Sequence, residues 1–482
     1  MTSQPPPDGG TSDGDGLPER WEEILRAVFG DDAEAALREL SERGMDPHAM
    51  AAAAGLPDDP QVLRQILDQV KRLLDTPSDE PVNWEIAHDV ARQAAVAEGD
   101  PSIGDHAKRQ VAEAFSVAEL WLDAATDLPP AGGPVHAWSR SEWVERTLPT
   151  WRSLADPVAT SVADGLAGVL ARTEPEGLAM PGLISAPMLR QLGGSLFGMQ
   201  VGHAAGELSR EVFGATDIGL PLLREPAIVL LPTNVEAFAE GLEIPTDEVR
   251  LFLALREAAH ARLFTHVAWL RGHLLGAVEA YARGIEIDPE AIESAVRDLD
   301  PSNPDELGRA LSQGVFVPRT TEGQRATLER LETSLALVEG WVDEVTATAA
   351  APHLPNIAPL REMLRRRRAA GGPAEHTFAT LVGLELRPRR SRDAAALWAQ
   401  IARADGIEAR EAVWAHPDLL PTAEDLDDPG GYAARRSATA AEHAEVDRAL
   451  AEILGESDAD GPAADAGQPE PDQPDEPKAH GA

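Results

Sequence analysis

The residues best suited to chemistry lie in segment 256–260, which reads Arg-Glu-Ala-Ala-His. On a helix, residues four apart share a face, so Arg256 and His260 would point the same way. Two histidines at this spacing can hold one zinc ion, and a glutamate after the first can act as general base on a zinc-bound water. Glu257 and His260 have the types that this chemistry needs. Arg256 does not, because a guanidinium stays protonated and has no lone pair for a metal.

A helix must carry this segment, and turn signals before it predict where that helix begins. Pro245 is suited to the first turn, because its missing N–H would have no partner there. A shorter helix is predicted just upstream, over residues 235–241, where Thr233 and Glu236 have the spacing of a capping box. The sequence therefore predicts a short helix followed by a longer one that carries residues 256–260.

A strand is predicted over residues 228–231, which are aliphatic and end at Pro232. Extended peptides pair with exposed strand edges. A strand shortly before the chemically active helix could therefore align a peptide. Leu231 and Asn234, at the end of this strand, are the candidate substrate-aligning residues.

Elsewhere the apolar residues recur at helical spacing. Predicted helices include residues 84–98, 103–126 and 327–347. Four glycines recur every four residues: Gly194, Gly198, Gly202 and Gly206. On a helix they form a stripe without side chains, which predicts the close approach of another backbone. The polar residues Gln200, His203 and Glu207 beside them favour a buried helix of a water-soluble protein over a membrane helix.

The overall composition excludes several classes of protein. The 482 residues carry a net charge of −40, which argues against binding to nucleic acid because phosphates would be repelled. The chain has no cysteine, so it has no disulfides or thiolate metal ligands. It has no long apolar run typical of a membrane helix. We therefore expect a cytoplasmic protein without a membrane or nucleic-acid partner, and the sequence indicates no oligomeric state.

Composition also suggests how the chain is divided. Residues 1–18 are rich in Pro, Gly and Asp and are predicted to be disordered, as is the acidic tail 455–482. Residues 19–75 are predicted to form an N-terminal helical segment. The main helical domain is predicted to cover residues 80–454.

Several segments of this domain together resemble a known family. They are residues 138–143, 216–221, 231–235, 251–264, 338–343 and 414–418. The chain resembles a bacterial, largely actinobacterial, family of zincin-like proteins described as zinc-dependent metalloproteases or hydrolases. A related group is associated with deazaflavin-coenzyme biosynthesis. The resemblance implies a mainly α, zincin-like multi-helical domain with a small β element before the active-site helix, a bound zinc ion, and a peptide or protein as substrate or ligand.

A catalytic zinc ion needs a third protein ligand. The resemblance implies Glu339, on a separate predicted helix, as that ligand. His266 lies six residues after His260, the spacing of a different class of zinc peptidase. That class has a glycine between the two histidines to turn the chain, whereas this chain has Leu263.

Two functions remain open at this point. In the first, the chain is a zinc-dependent hydrolase of the metalloprotease type, with Glu257 as general base, His260 and Glu339 as ligands, and a group that the sequence does not identify as the remaining ligand. In the second, it is an inactive binding or scaffold protein in which Arg256 takes the place of the metal and pairs with Glu339. A third possibility is that Arg256 simply points into solvent. Arg256 argues against zinc on chemical grounds, and the resemblance argues for it.

A basic island stands out in this acidic chain. Its members are Arg361, Arg365, Arg366, Arg367, Arg368, Arg387, Arg389, Arg390 and Arg392. These arginines could pair with acidic groups of the protein itself. They could also dock an acidic partner or the tail 455–482.

Overall fold

The computed structural model describes residues 80–172, 186–284, 322–370 and 390–459. The predicted segments 1–18 and 19–75 lie outside these ranges. Within them the chain is mainly helical, with two strands of three residues each. The prediction of a mainly α domain with a small β element is confirmed.

The helices and strands are numbered here in chain order. The first half contains α1 (Trp84–Val96), α2 (Asp105–Leu122), β1 (Val135–Ala137), α3 (Arg140–Arg172), α4 (Ala186–Glu211), β2 (Ile228–Leu230), α5 (Pro232–Ala239) and α6 (Thr246–His266). The second half contains α7 (Ala268–Arg283), α8 (Glu322–Ala350), α9 (Ile357–Ala370), α10 (Ser391–Ala412), α11 (Ala423–Asp427) and α12 (Tyr432–Ala459).

Helix α6 lies at the centre of the fold and is buried on nearly all sides from Val249 to Leu263. It packs against α2, α5, α8 and strand β2. A helix that is buried all round has no polar face to spare for its charged residues. Arg256, Glu257, His260 and Arg262 therefore lie inside the protein and need partners there.

The two strands form a parallel pair in which His136 lies opposite Val229. Strand β2 is buried along its whole length. At its end, the Leu231 N–H donates to the Phe213 carbonyl oxygen at 2.9 Å. Segment 213–214 therefore lies along the edge of β2 that β1 leaves free.

Helix α5 begins differently from the sequence prediction. It starts at Pro232, with Leu231 as N-cap and no side-chain cap hydrogen bond. The predicted capping box of Thr233 and Glu236 was therefore wrong. Pro232 takes the first helical position instead, where its fixed φ angle favours the helix and its missing N–H costs nothing.

The glycine stripe of α4 lies directly against α1. A Cβ atom on Gly198 would overlap the carbonyl oxygen of Asn83, and one on Gly202 would overlap that of Ala87. The predicted close approach of another backbone is therefore observed. The absence of side chains at these glycines lets α1 and α4 pack closely.

The chain divides into two compact units, of which the first ends at Asp427 and the second begins at Asp428. In the second unit, the main element is α12. This helix includes residues 455–459, where we predicted the disordered tail to begin, and residues 460–482 lie outside the described ranges. No helix in the described part of the chain is long and apolar enough to span a membrane.

Candidate functional site

Arg256 of α6 and Glu339 of α8 meet in the interior, where these two helices pack. The Arg256 Nη2 atom donates to Glu339 Oε2 at 2.6 Å. The two side chains are only 7% and 3% exposed. Arg256 therefore does not point into solvent, and its charge is compensated by the carboxylate that the resemblance implies as a metal ligand.

His260 binds the other oxygen of the same carboxylate. Its Nε2 atom lies 3.1 Å from Glu339 Oε1, and its Nδ1 atom lies 3.0 Å from the carbonyl oxygen of Arg256. A carbonyl oxygen only accepts, so Nδ1 must carry a proton. The Nε2 atom faces the Glu339 carboxylate. Both ring nitrogens are therefore engaged by oxygen atoms of the protein.

Arg368 of α9 is a third donor to Glu339. Its Nη1 atom donates to Oε2, and its Nη2 atom donates to Asp217 Oδ1 at 2.7 Å. Burial alone would raise the pKa of Glu339, but the charges of Arg368, His260 and Arg256 hold it well below its usual range. Glu339 is therefore the anionic centre of a group that we call the charged cluster: Arg256, His260, Glu339, Asp343 and Arg368.

Asp343 lies one helical turn after Glu339 and collects further arginines. Arg361 donates to both of its oxygens, at 3.1 and 2.7 Å, and Arg365 donates to Oδ2. Arg256 Nη1 lies 3.8 Å from Oδ1. Burial would raise the pKa of Asp343, but the Arg361 hydrogen bond and the charge of Arg256 lower it. Arg361 and Arg365, two members of the predicted basic island, therefore pair with an acid of the protein itself.

Glu257 points away from this cluster, towards segment 214–216. Its Oε1 atom accepts the Ala215 N–H at 2.8 Å, and Oε2 accepts the Thr216 hydroxyl at 2.6 Å and the Thr216 N–H at 3.3 Å. Burial raises the pKa of Glu257 to about 7, against the lowering effect of these hydrogen bonds. At Gly214 a Cβ atom would overlap this carboxylate, so a glycine is needed there for the segment to approach Glu257.

A small cavity lies between Glu257 and His260. It is lined by Phe213, Gly214, Asp217, Leu230, Leu253, Arg256, Glu257 and His260. Its volume is about 10 Å³, counted as the space that the centre of a water molecule can occupy. This is room for about one water. A peptide substrate does not fit into this space as it stands.

These residues do not fit a zinc ion. In the described part of the chain, no group of three or more His, Cys, Asp or Glu side chains is placed to hold a metal. Arg256 supplies a fixed positive charge where the motif would have its first ligand. His260 and Glu339, the two ligands predicted from the sequence, are bound to each other, and Arg256 and Arg368 neutralise the carboxylate.

The other candidate residues lie apart from the charged cluster. Leu231 is fully buried. The Asn234 amide donates to the carbonyl oxygens of Ser209 and Val212, and its oxygen accepts from Arg140 Nε at 2.8 Å. Both residues are thus used in internal contacts, and their substrate-aligning role stays a prediction. His266 lies at the end of α6, with Nε2 3.2 Å from the carbonyl oxygen of Pro130.

Sequence reasoning missed Arg368, Asp217 and Thr216 as members of the site. Arg368 was seen only as part of a basic run, since spacing in α9 cannot tell which arginine reaches α8. Asp217 and Thr216 lie in segment 216–221, which carries part of the resemblance. A polar pair two residues after Gly214 was the available signal, because a glycine often marks a close backbone approach.

Comparison with known proteins agrees with this geometry at the level of the fold. Residues 82–433 match the sequence profile of the zincin-like metallopeptidase family. A crystal structure of a candidate hydrolase with a novel fold from Chloroflexus aurantiacus is similar, with a TM-score of 0.53 and 19% identity over 74% of this chain and 99% of that one. No curated protein matches. Since the family profile spans most of the chain, the protein belongs to the zincin-like metallopeptidase family.

Proposed function

We propose that this chain is a metal-independent member of its family, which binds a peptide or protein partner without cleaving it through zinc. One observation carries the proposal: the Glu339 carboxylate is held by Arg256, Arg368 and His260. Two guanidinium groups supply the positive charge that a metal would bring. The partner class follows from the family, whose name refers to peptidases.

Charge balance supports this proposal. A buried carboxylate needs compensating cations, and here those cations come from the chain itself. For zinc to bind, Arg368 would have to leave Glu339, and the metal would have to replace the direct contact between His260 and Glu339. Even then, Arg256 would remain as a buried cation beside the metal, with Asp343 Oδ1 3.8 Å away. Each of these changes opposes zinc binding.

A second candidate is a hydrolase that acts without a metal at this position, with Glu257 as general base. It is favoured by the pKa of about 7 for Glu257, which suits proton transfer near neutral pH, and by the water-sized cavity beside it. The structural neighbour described as a candidate hydrolase agrees with it. However, Glu257 already accepts three hydrogen bonds from segment 215–216, and the cavity has no room for a substrate. We therefore rank it second.

Zinc content and peptidase activity together distinguish these possibilities. The purified full-length chain is incubated with zinc, dialysed and analysed for metal, and its activity is measured on a peptide library. We expect well below one zinc per chain and no cleavage that differs between wild type and Glu257→Gln. One tightly held zinc per chain would overturn the proposal. Zinc-free cleavage that is lost in Glu257→Gln would establish the second candidate instead.

A further inference from the structure

Helix α9 is joined to the rest of the fold mainly by arginines. Among its residues 357–368, only Leu360 and Leu364 are buried apolar side chains. Arg361, Arg365 and Arg368 follow at helical spacing and lie on one face. A helix of this length usually buries an apolar stripe on that face. In α9 this face has two buried leucines, and its other contacts are made by guanidinium groups.

Each of these arginines binds an acidic group outside α9. Arg361 and Arg365 bind Asp343 on α8, and Arg368 bridges Glu339 on α8 and Asp217 in the segment after α4. Their side chains are 18–28% exposed, so solvent reaches them from one side. These contacts place α9 over the line where α6 and α8 meet.

A neighbouring arginine strengthens the same attachment. Arg367 Nη2 donates to the carbonyl oxygen of Glu211 at 2.7 Å, and its guanidinium stacks over Phe213 at 4.4 Å from the ring centroid. By contrast, Arg366 is 78% exposed, and its ion-pair partner among the described residues is Glu362 of the same helix. Arg366 therefore offers a matched control, since it carries the same charge on the same helix but pairs within α9.

We propose that α9 is a charge-held strap over the charged cluster, which opens as a unit while α6 and α8 stay folded. Local opening is expected where an element buries little apolar surface and depends on solvent-accessible polar contacts. Opening would expose Asp217, Glu339 and Asp343 to solvent, so access to the charged cluster depends on the strap. The inference goes beyond the proposed function and holds whether or not the protein is an enzyme.

The test removes two attachment points and asks whether the rest of the strap follows. In Arg361→Gln/Arg365→Gln, we expect amide hydrogen exchange in residues 360–368 to quicken by about tenfold to a hundredfold, because two charge-assisted contacts are lost. Exchange in the centres of α6 and α8 should stay as in wild type. Arg366→Gln should leave all three helices unchanged.

Chemical labelling of carboxyl groups adds a second measurement. Its informative group is Asp217, which makes no ion pair with either substituted arginine. Asp343 loses two of its arginine partners in the double variant and should label faster in any case. Asp217 is held by Arg368, which is not substituted, so faster labelling of Asp217 reports that the strap has lifted. Unchanged labelling of Asp217 and unchanged exchange in α9 would overturn the proposal. So would equal opening of α6, α8 and α9, because α9 would then be part of a single cooperative unit.

A milder variant covers the case in which the double variant does not fold. Arg365→Gln removes one contact only, and we expect the same changes in a smaller amount, with a thermal midpoint close to that of wild type. Unchanged labelling of Asp217 and unchanged amide exchange in α9, in a folded Arg365→Gln protein, would also count against the proposal. None of these measurements involves zinc, so the result is separate from the test of the proposed function.

Discussion

Arg256 of helix α6 donates to Glu339 of helix α8 at 2.6 Å, with both side chains inside the protein. Arg256 is the first residue of the motif on α6, and Glu339 carries the carboxylate implied as a ligand. In this chain they form an ion pair across the central helix contact. Such a pair adds little to stability compared with well-packed apolar residues, but losing one partner is costly because the other is left buried and uncompensated.

Substituting Glu339 should therefore destabilise the fold. Glu339→Gln leaves Arg256 and Arg368 without their shared anion, and we expect a loss of about 3–5 kcal/mol in the free energy of unfolding. Glu329→Gln changes an exposed acid of the same helix and should alter stability by less than about 0.5 kcal/mol. Denaturant melts measure both. Equal free energies of unfolding for the two variants would mean that another group compensates the charge of Arg256.

Restoring a metal site should require two changes and not one. Arg256→His recreates two histidines on one face of α6, with Glu339 opposite, but Arg368 still binds Glu339. In Arg256→His/Arg368→Gln the carboxylate is free of guanidinium groups and three ligands are available. We expect its zinc Kd to be at least about tenfold lower than that of Arg256→His alone.

Isothermal titration with zinc measures these affinities. Adding Glu339→Gln to the double variant should abolish the gain, because only two ligands remain. If the double variant binds zinc no better than wild type, the side chains at positions 256, 260 and 339 cannot converge on a metal.

Much of the helical framework could be predicted from periodicity alone. The start of α6 after Pro245 and the strand at 228–230 appear where the sequence placed them, because proline and β-branched residues act locally. The glycine stripe correctly predicted a close backbone contact, although not that α1 would provide it. The start of α5 was wrong, because two local signals competed and Pro232 prevailed over the Thr233–Glu236 pair.

The site was harder to predict, since its partners are distant in sequence. The motif indicated Arg256, Glu257 and His260 as a group on one helix. Whether Glu257 faced Glu339 or another segment depended on how α6 rotates in the core, and the spacing of charged residues does not fix that rotation when the helix is buried all round. Arg368 comes from α9, and no pattern in the sequence connects it to Glu339.

The glycine stripe of α4 leads to a paired prediction on stability. In Gly202→Ala the new methyl group would overlap the backbone oxygen of Ala87, which cannot move without shifting α1. We expect a loss of about 1–3 kcal/mol in the free energy of unfolding. Gly193 lies on the same helix with open space around its Cβ position. Gly193→Ala should stabilise by up to about 1 kcal/mol, because alanine favours the helix.

Thermal melts of the two variants provide the measurement. The difference in sign is the important result, since both substitutions add the same methyl group to the same helix. A Gly202→Ala protein as stable as Gly193→Ala would show that α1 and α4 are not in close contact.

Glu257 should make stability depend on pH. Its pKa is about 7 in the folded protein and 4.5 for the free side chain, mainly because burial disfavours the charged form. Between these two values the folded state holds one proton more than the unfolded state. The free energy of unfolding therefore falls as pH rises through this window, by about 1.4 kcal/mol per pH unit at most, and it levels off above the folded pKa.

Glu257→Gln isolates this contribution, because glutamine has no proton to lose and all other groups stay the same. Between about pH 5 and pH 8, wild type should lose about 2 kcal/mol of stability relative to Glu257→Gln. Denaturant melts at a series of pH values measure the difference between the two proteins. If the two stability curves run parallel, the carboxylate is already ionised at the low end of the window. The hydrogen bonds from Ala215 and Thr216 would then outweigh burial in setting its charge.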